Sequence, residues 1–167
     1  MKARLFLAVC LSVIATNIAV AQSAQGVIVN GLVVGEKYTE AQLQSVFGVP
    51  DSVGITEDGI KVLSYGNNRI YWYGEDSQSE TERKLFWGVD IKDSTFVISE
   101  GVTVGLNKIY LPSKGTVVSS ERYTDGSGYV IQWRPKSLPE SMSDAYSIMV
   151  YTNASNVIQS IVVHISM

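Results

Sequence analysis

The stretch Thr39-Glu40-Ala41-Gln42-Leu43-Gln44-Ser45-Val46-Phe47-Gly48-Val49-Pro50 decides how the chain is read. Thr39 is a good N-cap, and Gln42 three positions on completes a capping-box pattern, in which each side chain accepts from the other's backbone N–H. Leu43, Val46 and Phe47 recur at helical spacing and give one apolar face. Gly48 suits the position just past a helix end, and Pro50 prevents continuation. One short helix is predicted here, the best-defined helix in a chain otherwise rich in strand signals.

Upstream, Val27 to Val34 is rich in Val and Ile and punctuated by Gly31 and Gly35, so it reads as a strand or extended lead-in. Downstream, Ile60 to Tyr65 and Arg69 to Tyr73 flank the turn signal Gly66-Asn67-Asn68 and predict a hairpin. Glu75 to Glu82 is polar and charged, a solvated loop tip. Lys84 to Ile91 alternates as a strand does, and Thr95 to Ile98 is a further short strand.

The second half opens on Gly101-Val102-Thr103-Val104-Gly105, which echoes Gly31-Leu32-Val33-Val34-Gly35 about 70 residues earlier. The echo continues loosely. Gly48 corresponds to Gly115, and the Tyr65-Gly66 turn before Ile70 and Trp72 to Gly126 and Gly128 before Ile131 and Trp133. Lys84–Ile91 then corresponds to Tyr146–Thr152, and Thr95–Ile98 to Val157–Ile165. Pro112 interrupts the second would-be helix, Leu106 to Ser113, so a single turn or a loop is expected there. These features predict two αβ repeats, 22–98 and a shorter 99–167, within one structural domain.

The N-terminus is an address. Lys2 and Arg4 precede a mostly apolar run, Leu5 to Val20, and Ala19-Val20-Ala21 fits the small-x-small pattern of a signal-peptidase site. The run is short for a membrane anchor. Cys10 follows Val9 and sits inside the apolar run, which does not suit lipidation. Cleavage after Ala21 removes Lys2, Arg4 and Cys10 and takes the formal charge from -3 to -5. The expected product is cysteine-free, periplasmic or extracellular, and not integral to a membrane.

The unit Val33-Val34-Gly35, Thr39-Glu40-x-x-Leu43-x-x-x-Phe47-Gly48-x-Pro50, and a hairpin carrying Tyr65 resembles the repeat of the small outer-membrane-assembly lipoproteins of the SmpA/OmlA type. Doubled, it resembles the beta-lactamase inhibitory protein and its BLIP-like relatives. The phrase Val89 to Ile98 leading into Gly101 suits the join between two such repeats. The resemblance implies an α+β fold: tandem helix-plus-antiparallel-strand repeats forming one curved antiparallel sheet, with short helices on one face. It also implies a protein that binds other proteins. The inhibitory proteins carry disulfides and the assembly proteins a lipid, neither of which this chain offers. No family active-site residue maps onto it.

Residue types narrow the chemistry further. The acidic balance argues against nucleic acid, and one His with one Cys excludes two-His and Cys-built metal sites, so no metal or cofactor is expected. Gly126-Ser127-Gly128 lacks the Lys of a phosphate loop, and there is no nucleophile elbow. His164 lies with Ile158, Ser160 and Val162 opposite Ile161, Val163 and Ile165. Paired acids of the kind glycoside hydrolysis uses occur only in polar loops, at Glu57-Asp58, Glu75-Asp76 and Glu80-x-Glu82. Strict alternation puts Leu85, Trp87, Val89 and Ile91 on a core face and sets Tyr71, Tyr73 and Phe86 on the opposite one. Exposed aromatic clusters serve as interface anchors. These three are the expected binding residues of a non-catalytic module that engages a protein or a cell-envelope component through an open sheet face. A small secreted hydrolase and a structural envelope component are the alternatives.

Overall fold

The computed structural model describes residues 26–73 and 83–166. The signal segment and the paired acids between 75 and 82 lie outside the described residues.

The predicted helix forms as α1, Glu40–Phe47. Thr39 Oγ1 accepts from the Gln42 N–H at 3.2 Å, and Gln42 Oε1 accepts from the Thr39 N–H at 2.9 Å. Gly48 adopts a positive φ of 84° and donates to the Gln44 carbonyl, closing the helix end. Leu43 is fully buried, and Phe47 packs on Tyr65, Phe86 and Phe96. Lys61 Nζ, 2.8 Å from Glu40 Oε2, ties the first turn of α1 to the sheet.

The stretch before α1 is not one strand. Asn30 and Gly31 both take positive φ and turn it back on itself, giving the small hairpin of β1 (Ile28–Val29) and β2 (Leu32–Val33). After β3 (Lys37–Tyr38) and α1 come β4 (Ser52–Ile55), β5 (Lys61–Tyr65), β6 (Asn68–Tyr73) and β7 (Lys84–Ile91). A 3-10 turn at Lys108–Tyr110 and the short α2 (Leu111–Lys114) occupy the Pro112 region. The chain then forms β8 (Gly115–Arg122), β9 (Gly128–Pro135), β10 (Tyr146–Asn153) and β11 (Ile158–Ile165).

The main sheet is antiparallel in the order β4-β5-β6-β7-β11-β10-β9-β8, with β3 pairing the start of β7. Two four-strand meanders therefore meet where β7 lies against β11. The fold is α+β, mostly antiparallel sheet with a few short helices. Among the described residues no helix is long and apolar enough to cross a membrane.

Thr95–Ile98 is not a strand. Asn68, fully buried, donates to Asp93 Oδ1 and Thr95 Oγ1 and accepts from the Lys92 and Asp93 N–H groups. Its amide thus holds the chain in a turn as soon as β7 ends. Only Ile98 makes bridges, to Val29 and Val102.

The core lies on one face of the sheet. Leu63, Ile70, Trp72, Val89, Ile91, Ile131, Trp133, Ile148, Val150, Ile161 and Val163 point into it. Val27, Val29 and Val34, Leu43 of α1, Leu111 of α2, and Ile98 with Val102 cover it. Both indoles anchor by their N–H groups, Trp72 to the Lys84 carbonyl and Trp133 to the Leu111 carbonyl.

Candidate functional site

Every described helix puts its packed side chains on that same core face, so the other face of the sheet carries none of them. The register lays the open face out in rows. Gly54, Val62, Tyr71, Gly88, His164 and Ser147 follow one another across β4, β5, β6, β7, β11 and β10. Beside them run Ser64, Arg69, Asp90, Val162, Met149 and Gln132.

A bulge shapes the centre. Tyr71 pairs with Gly88 and Trp72 with Phe86, so Trp87 is the extra residue on β7. It shifts the alternation by one step. Before it, Lys84 and Phe86 face the core; after it, Val89 and Ile91 do. Phe86 is therefore fully buried, packed against Phe47 and Tyr38, and does not belong to the open face. Trp87 and Leu85, expected in the core row, are half-buried on the open face instead. Of the three aromatic residues expected there, the structure places Tyr71, half-buried, and Tyr73, 39% exposed.

Trp87, Tyr71 and His164 form one cluster. The Trp87 and His164 rings stack at 4.9 Å and 22°. Tyr71 meets both edge-on, at 6.1 Å and 5.8 Å. Gly88 makes this possible. A Cβ there would stand 2.7 Å from His164 Cδ2 and 2.6 Å from the Val163 carbonyl. His164 shares its face with Ser160 and Val162, as alternation predicts, but a second bulge at Gln159 sends Ile158 into the core.

Asp90 is the cluster's anion. Tyr71 Oη donates to Asp90 Oδ2 at 2.8 Å, and His164 Nε2 lies 3.7 Å from Asp90 Oδ1, an electrostatic contact longer than a hydrogen bond. Burial opposes ionisation of Asp90, but His164, the Tyr71 hydroxyl and Lys92 outweigh it and hold its carboxyl below the usual range. Tyr71 is pushed up, first by burial and then by the neighbouring Asp90. The Trp87 indole N–H and His164 Nε2 are shielded from solvent and have no hydrogen-bond partner among the described residues. Ser147 stands opposite His164 in the register, yet no hydrogen bond joins them, so the pair lacks the activated geometry of a nucleophile and base.

Sequence reasoning put Trp87 in the core row because it carried period 2 unbroken through β7; the same alternation sets Asp90 on the open face, where the structure has it. The signal was present in Gly88, since an isolated glycine inside a strand pattern marks a bulge or a close approach. Among the described residues no group of three or more His, Cys, Asp or Glu is placed to hold a metal ion. No protein-family model matches the chain, and neither a curated protein nor a solved structure matches it.

Proposed function

We propose that this protein is an exported, non-catalytic binding module with two BLIP-like αβ repeats, and that it engages a protein or cell-envelope partner through the open face of its sheet. The observation that carries the reading is the Tyr71–Trp87–His164 cluster, a patch of three ring systems on a face that no described helix covers. Aromatic anchors beside a partly buried charge are what interface centres use.

The repeat reading rests on matched detail. Gly31, Gly35, Gly101 and Gly105 all take positive φ. The Gly35 N–H donates to the Phe86 carbonyl and the Phe86 N–H to the Glu36 carbonyl. In the second half the Gly105 N–H donates to the Ile158 carbonyl and the Ile158 N–H to the Leu106 carbonyl. Each acceptor strand then bulges at the next residue, Trp87 in β7 and Gln159 in β11. On this reading β7 corresponds to β11 rather than to β10, one strand away from the correspondence the sequence echo suggests. The aromatic cluster belongs to the first repeat, because Gln159 stands where Trp87 does.

The hydrolase alternative draws no support from the described acids. Glu57 and Asp58 are exposed in the β4–β5 turn. Asp90, Asp93 and Asp125 are all held low, the opposite of what a general acid needs. The test is site-directed photo-crosslinking in cells, with the reactive residue at position 73 or 87 and a control at 110, which is exposed on the helical side. The expected result is one discrete adduct from 73 and 87 and none from 110. Equal labelling from all three positions, or none, rejects an open-face partner.

A further inference from the structure

The main sheet has two free edges. Its eight-strand path runs from β4 to β8, and among the described residues neither outer strand has a second neighbour. All seven pairings along the path are antiparallel, so β4 and β8 run in opposite directions. The Thr56 N–H bonds inward to the Ile60 carbonyl, and the Tyr123 N–H bonds inward to the Gly128 carbonyl. Alternation from these points turns the backbone groups of Val53 and Ile55 outward on β4, and those of Ser120 and Arg122 outward on β8. Val53 pairs with Leu63 and Ser120 with Ile131, both buried, so the outward groups of each edge belong to residues on the core face. One edge can therefore pair with the other and keep the core layer on one side.

Both edges leave apolar groups uncovered. Val53 stands beside fully buried Leu63 yet is itself 51% exposed, and Ile55 is 62% exposed. On β8 the bulge residue Val118 is exposed as well. Neither strand contains proline, and their only charged residues, Glu121 and Arg122, lie at the end of β8. Uncharged, exposed edge backbone is a template for a further strand.

Charge selects the strand that fits. β4 is flanked by Asp51 on one side and by Glu57 and Asp58 on the other. Lys114, bonded to the Glu100 carbonyl, and exposed Lys136 stand at the start of β8, and exposed Arg122 ends it. Among the described residues none of these six charges is in an ion pair. Two β4 strands laid together bring acid onto acid, which opposes pairing. Laid antiparallel on β8 with Val53 opposite Ser120, β4 sets Asp51 opposite Arg122 and Ile55 opposite Val118. The same register carries Glu57 and Asp58 toward Lys114 and Lys136. We propose that copies of this chain join edge to edge, β4 of one against β8 of the next, in one extended antiparallel sheet. The contact is heterologous, so every added copy still offers a free edge. It is small, so association is weak and grows with concentration. Both faces of the sheet stay uncovered, and the inference does not depend on the open-face reading.

Sedimentation velocity of protein purified from cells expressing the full chain tests this. The parent should be monomeric at micromolar concentration and form dimers and larger species toward millimolar. Val53→Pro and Ser120→Pro each remove an outward N–H and no existing ladder bond. Each variant alone should stay monomeric. Mixed in equal amounts, they should form a dimer and nothing larger, because one supplies an intact β8 and the other an intact β4. Circular dichroism checks that each is folded. If either proline variant unfolds, Val53→Lys or Ser120→Glu takes its place, setting a like charge near Arg122 or Asp51 across the contact. A parent that stays monomeric throughout, a folded single-edge variant that still associates, or a mixture that stays monomeric overturns the proposal. None of these outcomes bears on crosslinking from positions 73 and 87.

Discussion

Trp87 stacks on His164 across the seam between the two meanders, with ring centroids 4.9 Å apart and planes 22° from parallel. The stack joins β7 to β11 on the face opposite the core, so it adds to the seam without being part of the core. Trp87→Ala should therefore cost only about 1–2 kcal/mol, the size of an aromatic pair plus partial burial. Urea unfolding should show a lower midpoint with an unchanged slope, and crosslinking from position 73 should be lost. Global unfolding of this variant would mean that Trp87 supports the core.

Phe86 should behave in the opposite way. It is fully buried against Phe47 and Tyr38, so Phe86→Ala should cost about 3–5 kcal/mol, the range for emptying an aromatic site in a core. Tyr73→Ala, at an exposed position, should cost under about 1 kcal/mol. Thermal unfolding of the two variants side by side checks the contrast. Similar losses would show that the bulge does not set the faces of β7 as described.

Features set by near neighbours were legible in the sequence, and features set by distant groups were not, for physical reasons. The capping box of α1, the Gly66 hairpin and the Pro112 break each depend on neighbours within a few residues, so they were legible in the sequence. The turn after β7 was not, because the group that shapes it is the amide of Asn68, far back in the chain. The site was half legible. Alternation placed Tyr71, Tyr73 and His164 correctly, because no bulge intervenes between them and the core residues that set their phase. It misplaced Phe86 and Trp87, because a bulge is decided by pairing with another strand and leaves only Gly88 as its trace. The glycine echo was visible in the sequence, but the parallel hydrogen bonds on which the proposed repeat reading pairs β7 with β11, Gly35 to Phe86 and Gly105 to Ile158, were not.

Gly88 lets the rings on either side of it approach. A side chain there would meet the Val163 carbonyl at 2.6 Å, and a backbone atom cannot swing aside. Gly88→Ala should cost roughly 2–4 kcal/mol as an overpacked, strained site. Gly54, on the same row at the sheet edge, has nothing within 4 Å of a Cβ, so Gly54→Ala should change stability by less than about 1 kcal/mol. Denaturant midpoints of the two variants decide it, and equal losses would contradict the close packing at the seam.

Asp90 should give the protein an acid limb. Its carboxyl is held below the usual range, since His164, Tyr71 and Lys92 outweigh the opposing effect of burial. A carboxylate with a depressed folded-state pKa adds stability that is present above the ordinary carboxylate value of about 3.9 and is lost as pH falls through the folded value. Stability measured by urea titration should decline across that acid window. Asp90→Asn should flatten the decline, and Tyr71→Phe, which removes one of the bonds holding Asp90 ionised, should flatten it in part. An unchanged acid limb in Asp90→Asn would place the responsible group elsewhere.

Tyr65 should set an alkaline limb of opposite sign. Burial, helped by the Glu40 charge, pushes its pKa from 10.0 up to about 12. The folded state therefore keeps the proton that the unfolded chain gives up. Its contribution is complete below pH 10 and is lost as pH rises toward 12. Tyr65→Phe has no proton to lose and no hydrogen bond to forfeit, because the hydroxyl is unpartnered among the described residues. The variant should match the parent at neutral pH and exceed it in alkali, read as unfolding midpoints in urea across the window. A variant that is markedly weaker at neutral pH would show that the Tyr65 hydroxyl is hydrogen-bonded in solution.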